Sequence, residues 1–405
     1  MLLKISWRNI WRNPTRSMVV ISAMLVGMFA GVFSSTFING WMQQRLKDGI
    51  ETETSHIQIH SPAFKLNDDL KNYIPEANAI TADIRKNDQI RGVSPRIVIQ
   101  SMIASAETAT GVKIIGADPM EEKKVTNLPD KLIEGKWFEG VKRNPIIIGH
   151  KLADKLKVKM RSKVVLRMQD TEGNITGGAF RVAGIYQTVN STFDETNVWV
   201  CNTDLQQLTL LPDGAAHEIT IFINNQDDLA SIENQISATH PDLITESWPD
   251  LSPELGYLTE IGNTYMYILV IIILLALGFG IVNTMLMVVM ERIHELGMLM
   301  AVGMSKSRVF LMIIIESTFL SIVGGFAGIL LGALTTEYWA VKGIDLSIWG
   351  EGLSEWGFAT IVYPVYDIPM VVTIAVMVIL TGIVASIYPA YKGLKLNPSE
   401  AIRVI

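Results

Sequence analysis

Apolar and polar positions divide this chain into long uncharged runs and one ordinary mixed segment. Residues 17–44 hold 28 positions without a charge, and residues 261–290 hold 30. Residues 309–336 are interrupted only by Glu316, and residues 368–391 carry no charge. As helices the first two runs would reach about 42 and 45 Å, more than the roughly 30 Å hydrocarbon core of a bilayer. The pattern therefore predicts a membrane protein with four transmembrane helices, at 17–44, 261–290, 309–336 and 368–391, the first two continuing outward as stalks. Residues 45–260 show instead short alternating runs typical of strands, at 56–60, 96–104, 111–117, 145–149, 163–168, 180–186, 197–201 and 218–223. Helical stretches fit at 76–87, 149–158, 203–210 and 227–239, and Glu172-Gly173-Asn174 reads as a hairpin tip. A large mixed α+β extracytoplasmic domain between the first and second helices follows, big enough to bury its own core.

Charge gives the direction of threading. Residues 1–16 contain Lys4, Arg8, Arg12 and Arg16 with no acid, and Leu3, Trp7, Ile10 and Trp11 recur at helical spacing. That describes an amphipathic helix lying in the headgroup layer, ended or kinked by Pro14. A signal peptide also starts basic, but its apolar core runs to about 7–15 residues, so the segment reads as a retained anchor. Arg292, Lys306 and Arg308 lie in the 291–308 loop, and Lys392, Lys395 and Arg403 in the 392–405 tail. The 337–367 loop has Lys342 against Glu337, Asp345, Glu351, Glu355 and Asp367. The excess of basic residues predicts that both termini and the 291–308 loop are cytoplasmic, with 45–260 and 337–367 outside.

Composition sharpens this picture. Nearly half of the 405 residues are apolar (49%) and only 18% are charged, against a usual quarter. A net charge of −6 gives no signal for nucleic acid. Cys201 is the sole cysteine, which excludes an internal disulfide. In the first span Ala23, Gly27, Gly31 and Ser35 repeat every fourth position, and in the third Ser317, Ser321 and Gly325 form one row and Gly324, Gly328 and Gly332 another. Such stripes predict close helix packing. Glu316 falls about 10 Å into the third span, where an acid must pair, stay protonated or meet water. It is either a packing hydrogen bond near the interface or a coupling element that changes partners as helices move.

The loop between the second and third spans reads ERIHELGMLMAVGMSKSRVF, from Glu291 to Phe310. Ile293, Leu296, Met300 and Met304 share one helical face. Gly303 is placed to end that helix and Ser305 to cap the next. The segment is either a solvated turn or a docking helix that presents its apolar ridge to a cytoplasmic partner. In the outer segment His56 and His60 are four apart, but on a strand that spacing holds side chains about 13 Å apart, which argues against a metal pair. The run of five lysines and one arginine from Lys151 to Lys163 is a solvated face or a docking patch. No P-loop, H-E-x-x-H or G-x-S-x-G motif occurs, so no covalent or nucleotide-hydrolysing chemistry is expected of this chain.

One span, a large outer domain, three spans and the loop ERIHELGMLMAVGMS together resemble the MacB/FtsX superfamily of ABC transporter permeases. The loop fits that family's pattern at Glu291, Arg292, Glu295, Leu296, Gly297, Leu299, Ala301, Gly303 and Ser305. Asn39-Gly40 followed by the aromatic Trp41, GVKIIGADP (111–119), LIEGKWF (132–138), IIIGHKLADKLKV (146–158), FRVAGIYQT (180–188) and YPAYKGLKLNPSEAIR (388–403) narrow the likeness to LolC/LolE-type lipoprotein-release permeases. The resemblance implies a non-catalytic subunit of the bacterial inner membrane with no cofactor of its own. A LolD-like ATPase dimer would bind ATP and Mg and dock on the loop, and a second permease copy would complete the core. It further implies a lipoprotein substrate, whose acyl chains lodge between the first and second spans, and transfer to a LolA-like periplasmic chaperone. By height, Ile38, Asn39, Gly40, Trp41 and Met42 with Ile261 and Tyr265 would wall that cavity. LolC-type chains carry a longer chaperone-recruiting hook where this one has only the short 169–178 hairpin, a departure from that type. A MacB-like exporter of peptides or drugs and an FtsX-like relay to cell-wall hydrolases are the rival readings.

Overall fold

A computed structural model describes residues 2–12 and 14–394. The tail from residue 395, with Lys395 and Arg403, lies outside them. In chain order the elements begin with α1 (Leu2–Arg12), α2 (Pro14–Asp48), a π-helical turn (Gly49–Thr54), β1 (Ile57–His60), α3 (Pro62–Leu66), α4 (Ala77–Ile84), β2 (Ile90–Ala104) and β3 (Ala109–Ala117). Next come α5 (Pro119–Val125), β4 (Leu132–Gly135), β5 (Pro145–Gly149), α6 (His150–Leu156), β6 (Lys163–Gln169), β7 (Ile175–Tyr186), α7 (Ser191–Thr196), β8 (Asn197–Cys201) and α8 (Asn202–Thr209). The chain continues with β9 (Glu218–Ile223), α9 (Leu229–Thr239), β10 (Ile244–Ser247), α10 (Trp248–Leu251), α11 (Pro253–Glu291), α12 (Ile293–Ala301) and α13 (Lys306–Lys342). It closes on β11 (Ile344–Asp345), α14 (Gly350–Glu355), β12 (Ile361–Val362) and α15 (Ile368–Leu394). Two compact units result: Met1–Met42 with Thr259–Asp345 and Ile361–Ile405, and Gln43–Leu258 with Leu346–Thr360.

The first unit is helical. Helices α2, α11, α13 and α15, of 35, 39, 37 and 27 residues, are each long and apolar enough to cross a bilayer. Half of the most apolar stretch of α13 is buried, against 22% for α11, so α13 is the most enclosed of the four. Met24, Met28 and Val32 of α2 pack with Met312 and Leu320 of α13 and with Ile374 and Val378 of α15. The glycine stripes make this packing possible. A Cβ on Gly328 would stand 2.6 Å from the Met28 Cβ and 2.7 Å from the Leu25 carbonyl oxygen, one on Gly324 2.5 Å from the Met24 Cβ, and one on Gly332 2.9 Å from Val32 Cγ1. Gly27 lies against Leu277 and Gly31 against Ile374. Small hydroxyls add hydrogen bonds where no water competes: Thr36 and Thr336 share one at 2.9 Å, and Ser317 Oγ donates to the Gly382 carbonyl at 3.0 Å.

In the second unit ten strands form one sheet in the order β10-β1-β9-β2-β3-β8-β5-β7-β4, with β6 bridging β2 and β7. Strand β2 is its axis. Its first half pairs with β9 and its second with β3 and β6. Sequence alternation places its start at residue 96, but it begins at Ile90. Gly92 and Pro95 hide the first half, because both read as strand breakers. Gly92 is needed there, since a Cβ would lie 2.5 Å from the Lys124 Cβ. Strands β4 and β10 also escape the pattern; they are four-residue edge strands with little apolar alternation. The hairpin tip falls where expected: Asp170 Oδ1 accepts from the Glu172 and Asn174 amides at 2.9 and 2.8 Å, and Gly173 takes φ +91°.

Residues 346–360 group with this second unit, where α14 packs on α7. An ion cluster is buried beneath β2 and β9. Arg96 donates to Glu122 at 2.6 Å and to Glu218 at 2.7 Å, and Glu218 also faces His60 at 3.5 Å. Burial acts to raise the Glu218 carboxyl, yet His60 and Arg96 hold it well below the usual carboxylate range. His56 packs edge-on to Phe222 at 4.2 Å, and burial lowers its imidazole to about 4. In the basic run Lys157 meets Glu107 at 2.8 Å and Lys155 pairs with Glu195.

Candidate functional site

The elbow between α11 and α13 carries Glu291, Arg292 and Glu295, with Lys306 and Arg308 at the start of α13. α11 ends at Glu291, a single non-helical residue, Arg292, turns the chain, and α12 begins at Ile293. Gly303 takes φ +104°, a left-handed value that a side chain would resist, and ends the elbow. Ser305 stands at the start of α13, but its backbone carbonyl rather than its hydroxyl takes the first helical bonds, from Arg308 and Val309.

Five side chains lock this elbow to its neighbours. Arg292 Nη1 donates to Glu316 Oε2 at 2.8 Å, and its Nε donates to Glu295 Oε2 at 3.3 Å. Asn9 Nδ2, from α1, donates to the other Glu316 oxygen at 2.7 Å. Arg12, also on α1, pairs with Glu295. Burial works against the Arg292 charge, but Glu316 and Glu295 more than restore it and raise its pKa. Burial would likewise raise Glu295, and Arg12 and Arg292 outweigh it, leaving the carboxyl below its usual range. α1 is fixed by Trp7, edge-on to Phe319 at 5.5 Å, and by Ser6 Oγ, donating to the Met312 carbonyl at 3.3 Å.

The apolar faces of α12 require a correction. On the docking-helix reading the face of Ile293, Leu296, Met300 and Met304 would meet the partner, but Leu296 is buried, Met300 and Met304 pack on the helical core and Ile293 is half-buried. The exposed ridge is instead His294, Met298 and Val302, with Met298 60% and Val302 84% exposed. Their i, i+4, i+8 spacing was present in the sequence and marks a helical face as well as the chosen set does. Among the loop's motif residues Glu291, Ala301, Gly303 and Ser305 are exposed, while Leu296 and Gly297 are buried and Leu299 is half-buried. The pairing of Arg292 with Glu316, 24 positions apart on two different helices, was not legible, nor were the parts played by Asn9 and Arg12, which reach partners 307 and 283 positions away.

The expected cavity wall divides. Met42 of α2 lies against Gly262 of α11, and Ile261 and Tyr265 are 45% and 65% exposed on α11. Ile38 and Trp41 are half-buried, Ile38 on the helical core and Trp41 beside Phe37 at 5.8 Å. Gly40 and Asn39, however, do not line an open wall. A Cβ on Gly40 would meet the Tyr363 carbonyl oxygen at 2.2 Å, and Asn39 donates to the Val365 carbonyl at 3.1 Å, so this pair holds the 363–365 segment against α2. A separate apolar groove of about 580 Å³ runs between α11 and α15, lined by Leu275, Gly278, Phe279, Leu380 and Val384. In the β-rich unit an open groove of about 770 Å³ lies between residues 67–71 and the β6–β7 hairpin, with Met102 and Ile175 exposed on it. Among the described residues no group of three or more His, Cys, Asp or Glu is arranged to hold a metal ion.

Residues 17–239 match the family described as MacB-like periplasmic core domain, and residues 267–398 match FtsX-like permease C-terminal. The lipoprotein-releasing system transmembrane protein LolC of Neisseria meningitidis is 25% identical over 328 residues, 78% of this chain and 78% of that protein. An uncharacterised ABC transporter permease of Methanocaldococcus jannaschii is 24% identical over 283 residues, 67% of this chain and 65% of the archaeal one, so under two thirds of that relative is spanned. A macrolide export ATP-binding/permease protein, MacB, of Rhodopirellula baltica is 38% identical over 126 residues, 31% of this chain and 16% of that protein.

Proposed function

Because this chain belongs to the MacB/FtsX family of ABC transporter permeases, we propose that it is the membrane subunit of a machine that releases lipoproteins from the bacterial inner membrane. ATP and Mg are bound by a separate LolD-like ATPase dimer, and two permease copies form the core. Both termini and the elbow face the cytoplasm, and the cargo leaves towards a LolA-like periplasmic chaperone. The observation that carries this reading is the elbow: a short helix between two apolar helices, with an exposed ridge of Met298 and Val302 and a buried ion pair behind it. Glu291, Ala301, Gly303 and Ser305 lie exposed on the same elbow, open to an ATPase. Lipoprotein is favoured over macrolide as cargo because the likeness to LolC runs across 78% of both chains, while the likenesses to MacB proteins cover 31% and 55% of this one.

The energetics suit such a task. Each buried CH₂ of an acyl chain holds its lipoprotein in the membrane by about 0.8 kcal/mol, so extraction needs ATP or a receiving pocket. Ile38, Trp41 and Met42, with Ile261 and Tyr265, are the residues proposed to face the acyl chains. The test uses the complex purified with its copurifying ATPase, reconstituted in nanodiscs with a fluorescent triacylated lipopeptide. ATP-dependent loss of the lipopeptide to solution is expected. If the complex moves macrolides or peptides and leaves the lipopeptide in place, the exporter reading replaces this one. A cell-wall hydrolase in the preparation, with no cargo moved, would favour the FtsX-like relay.

A further inference from the structure

Glu316 stands where three elements meet. Its side chain is buried in α13, at 7% exposure, and each carboxylate oxygen is taken by a different element: Oε2 by Arg292 at the head of the elbow, Oε1 by Asn9 on α1. A carboxylate serving only to fill a gap needs one donor. This one has a charged donor and a neutral donor, and the charged donor is forked onto Glu295, which in turn is held by Arg12 of α1. Charge-assisted bonds in a site of low dielectric are the stronger kind and resist separation. Beside the pair lies a small, partly open cavity of about 30 Å³ lined by Asn9, Ser17, Arg292 and Glu316 among others, so apolar packing does not make this junction rigid by itself. The polar bonds do.

We propose that Glu316 is a positioning residue for energy coupling: it clamps the elbow and α1 to α13, so that a push on the elbow moves all three as one body. The proposal rests on the reading that an ATPase acts through this elbow. Without the clamp the elbow would hinge at Arg292 and at Gly303, where the backbone is already non-helical. Nucleotide hydrolysis would then continue while its motion failed to reach the membrane helices.

Two measurements test it on the full complex, with Cys201 replaced by Ser for labelling. In the first, Glu316→Ala is expected to lower lipopeptide released per ATP by about tenfold, with the ATPase still copurifying and hydrolysing. The reciprocal pair Arg292→Glu with Glu316→Arg is expected to recover at least half of the loss, as restored pairing across a double-mutant cycle. Unchanged release per ATP in Glu316→Ala overturns the proposal; so does a loss that comes with loss of the ATPase and that the swap does not recover. In the second, spin labels at Val302→Cys and Tyr338→Cys report the distance from the elbow to the far end of α13. The wild-type distribution is expected to stay narrow on vanadate trapping and to broaden in Glu316→Ala; equal widths overturn the clamp. If no lipopeptide moves in the wild type yet the distances behave as expected, the cargo reading fails and the clamp stands.

Discussion

At the scale of single residues, tolerance to change follows from what stands opposite each side chain. Gly328 and Gly280 both sit in apolar helices with other glycines close by in the sequence. A Cβ at Gly328 would collide with Met28 and a backbone carbonyl, while nothing lies within 4 Å of Gly280. Gly328→Val should therefore cost about 1–3 kcal/mol through overpacking, and Gly280→Ala should be neutral or stabilising. Thermal unfolding of the detergent-solubilised protein checks both, and equal midpoints would refute the packing argument. Asp194 gives a test of pH. Burial pushes its carboxyl up to about 6, although Thr188 donates its amide at 3.0 Å and its hydroxyl at 2.7 Å. A raised carboxyl binds a proton in the folded state that the unfolded chain has released. Its contribution is complete below the unfolded value near pH 4 and is lost as pH rises through about 6, on the order of 2–3 kcal/mol. Asp194→Asn should flatten the fall in unfolding midpoint between pH 4 and 7; an unchanged slope would show that another group is responsible. The sequence displayed Asp194 only as one acid among many, because burial is a property of the surrounding fold.

At the scale of elements, the apolar runs and alternating strands were legible because each is set by local periodicity. The α12 segment was recognised as a helix, and its terminating glycine was placed, for the same reason. Which of its two apolar faces turns inward was not legible. Leu296 and Met298 are two residues apart and equally apolar, and only the neighbouring α1, α13 and α15 make one of them core. Gly303 supplies the prediction here. A residue with a Cβ must adopt φ +104° without meeting any neighbour, so Gly303→Val changes backbone preference alone, by roughly 1–2 kcal/mol. Lipopeptide release per ATP should fall while copurification of the ATPase persists; normal coupling in that variant would count against a mechanical role for the elbow.

At the scale of the whole molecule, the fold separates a helical unit from a β-rich unit that also recruits residues 346–360. Threading through the membrane is the prediction that belongs here. In a Cys201→Ser background, a cysteine at Val302 should react with an impermeant maleimide only after the cytoplasmic side is opened, whereas one at Ile348, 88% exposed, should react from outside in intact cells. The opposite pattern would invert the orientation and remove the elbow from any cytoplasmic ATPase.

What the sequence determined alone was everything that depends on neighbours along the chain: the four apolar helices, most strands, the hairpin tip at Gly173 and the elbow with its stop at Gly303. Periodicity and backbone preference act over a few residues, so they are written locally. What only the tertiary structure decided was who meets whom. Glu316 was recognisable as an acid needing a partner, yet the partner could be named only after folding brought Arg292 and Asn9 to its two oxygens. Gly40, similarly, reads as a small residue at the right height for a cavity until the 363–365 segment is seen to fill the space above it. Burial and pairing are set by segments that meet only in the fold, from 24 to 307 residues apart around Glu316, and no local pattern records them.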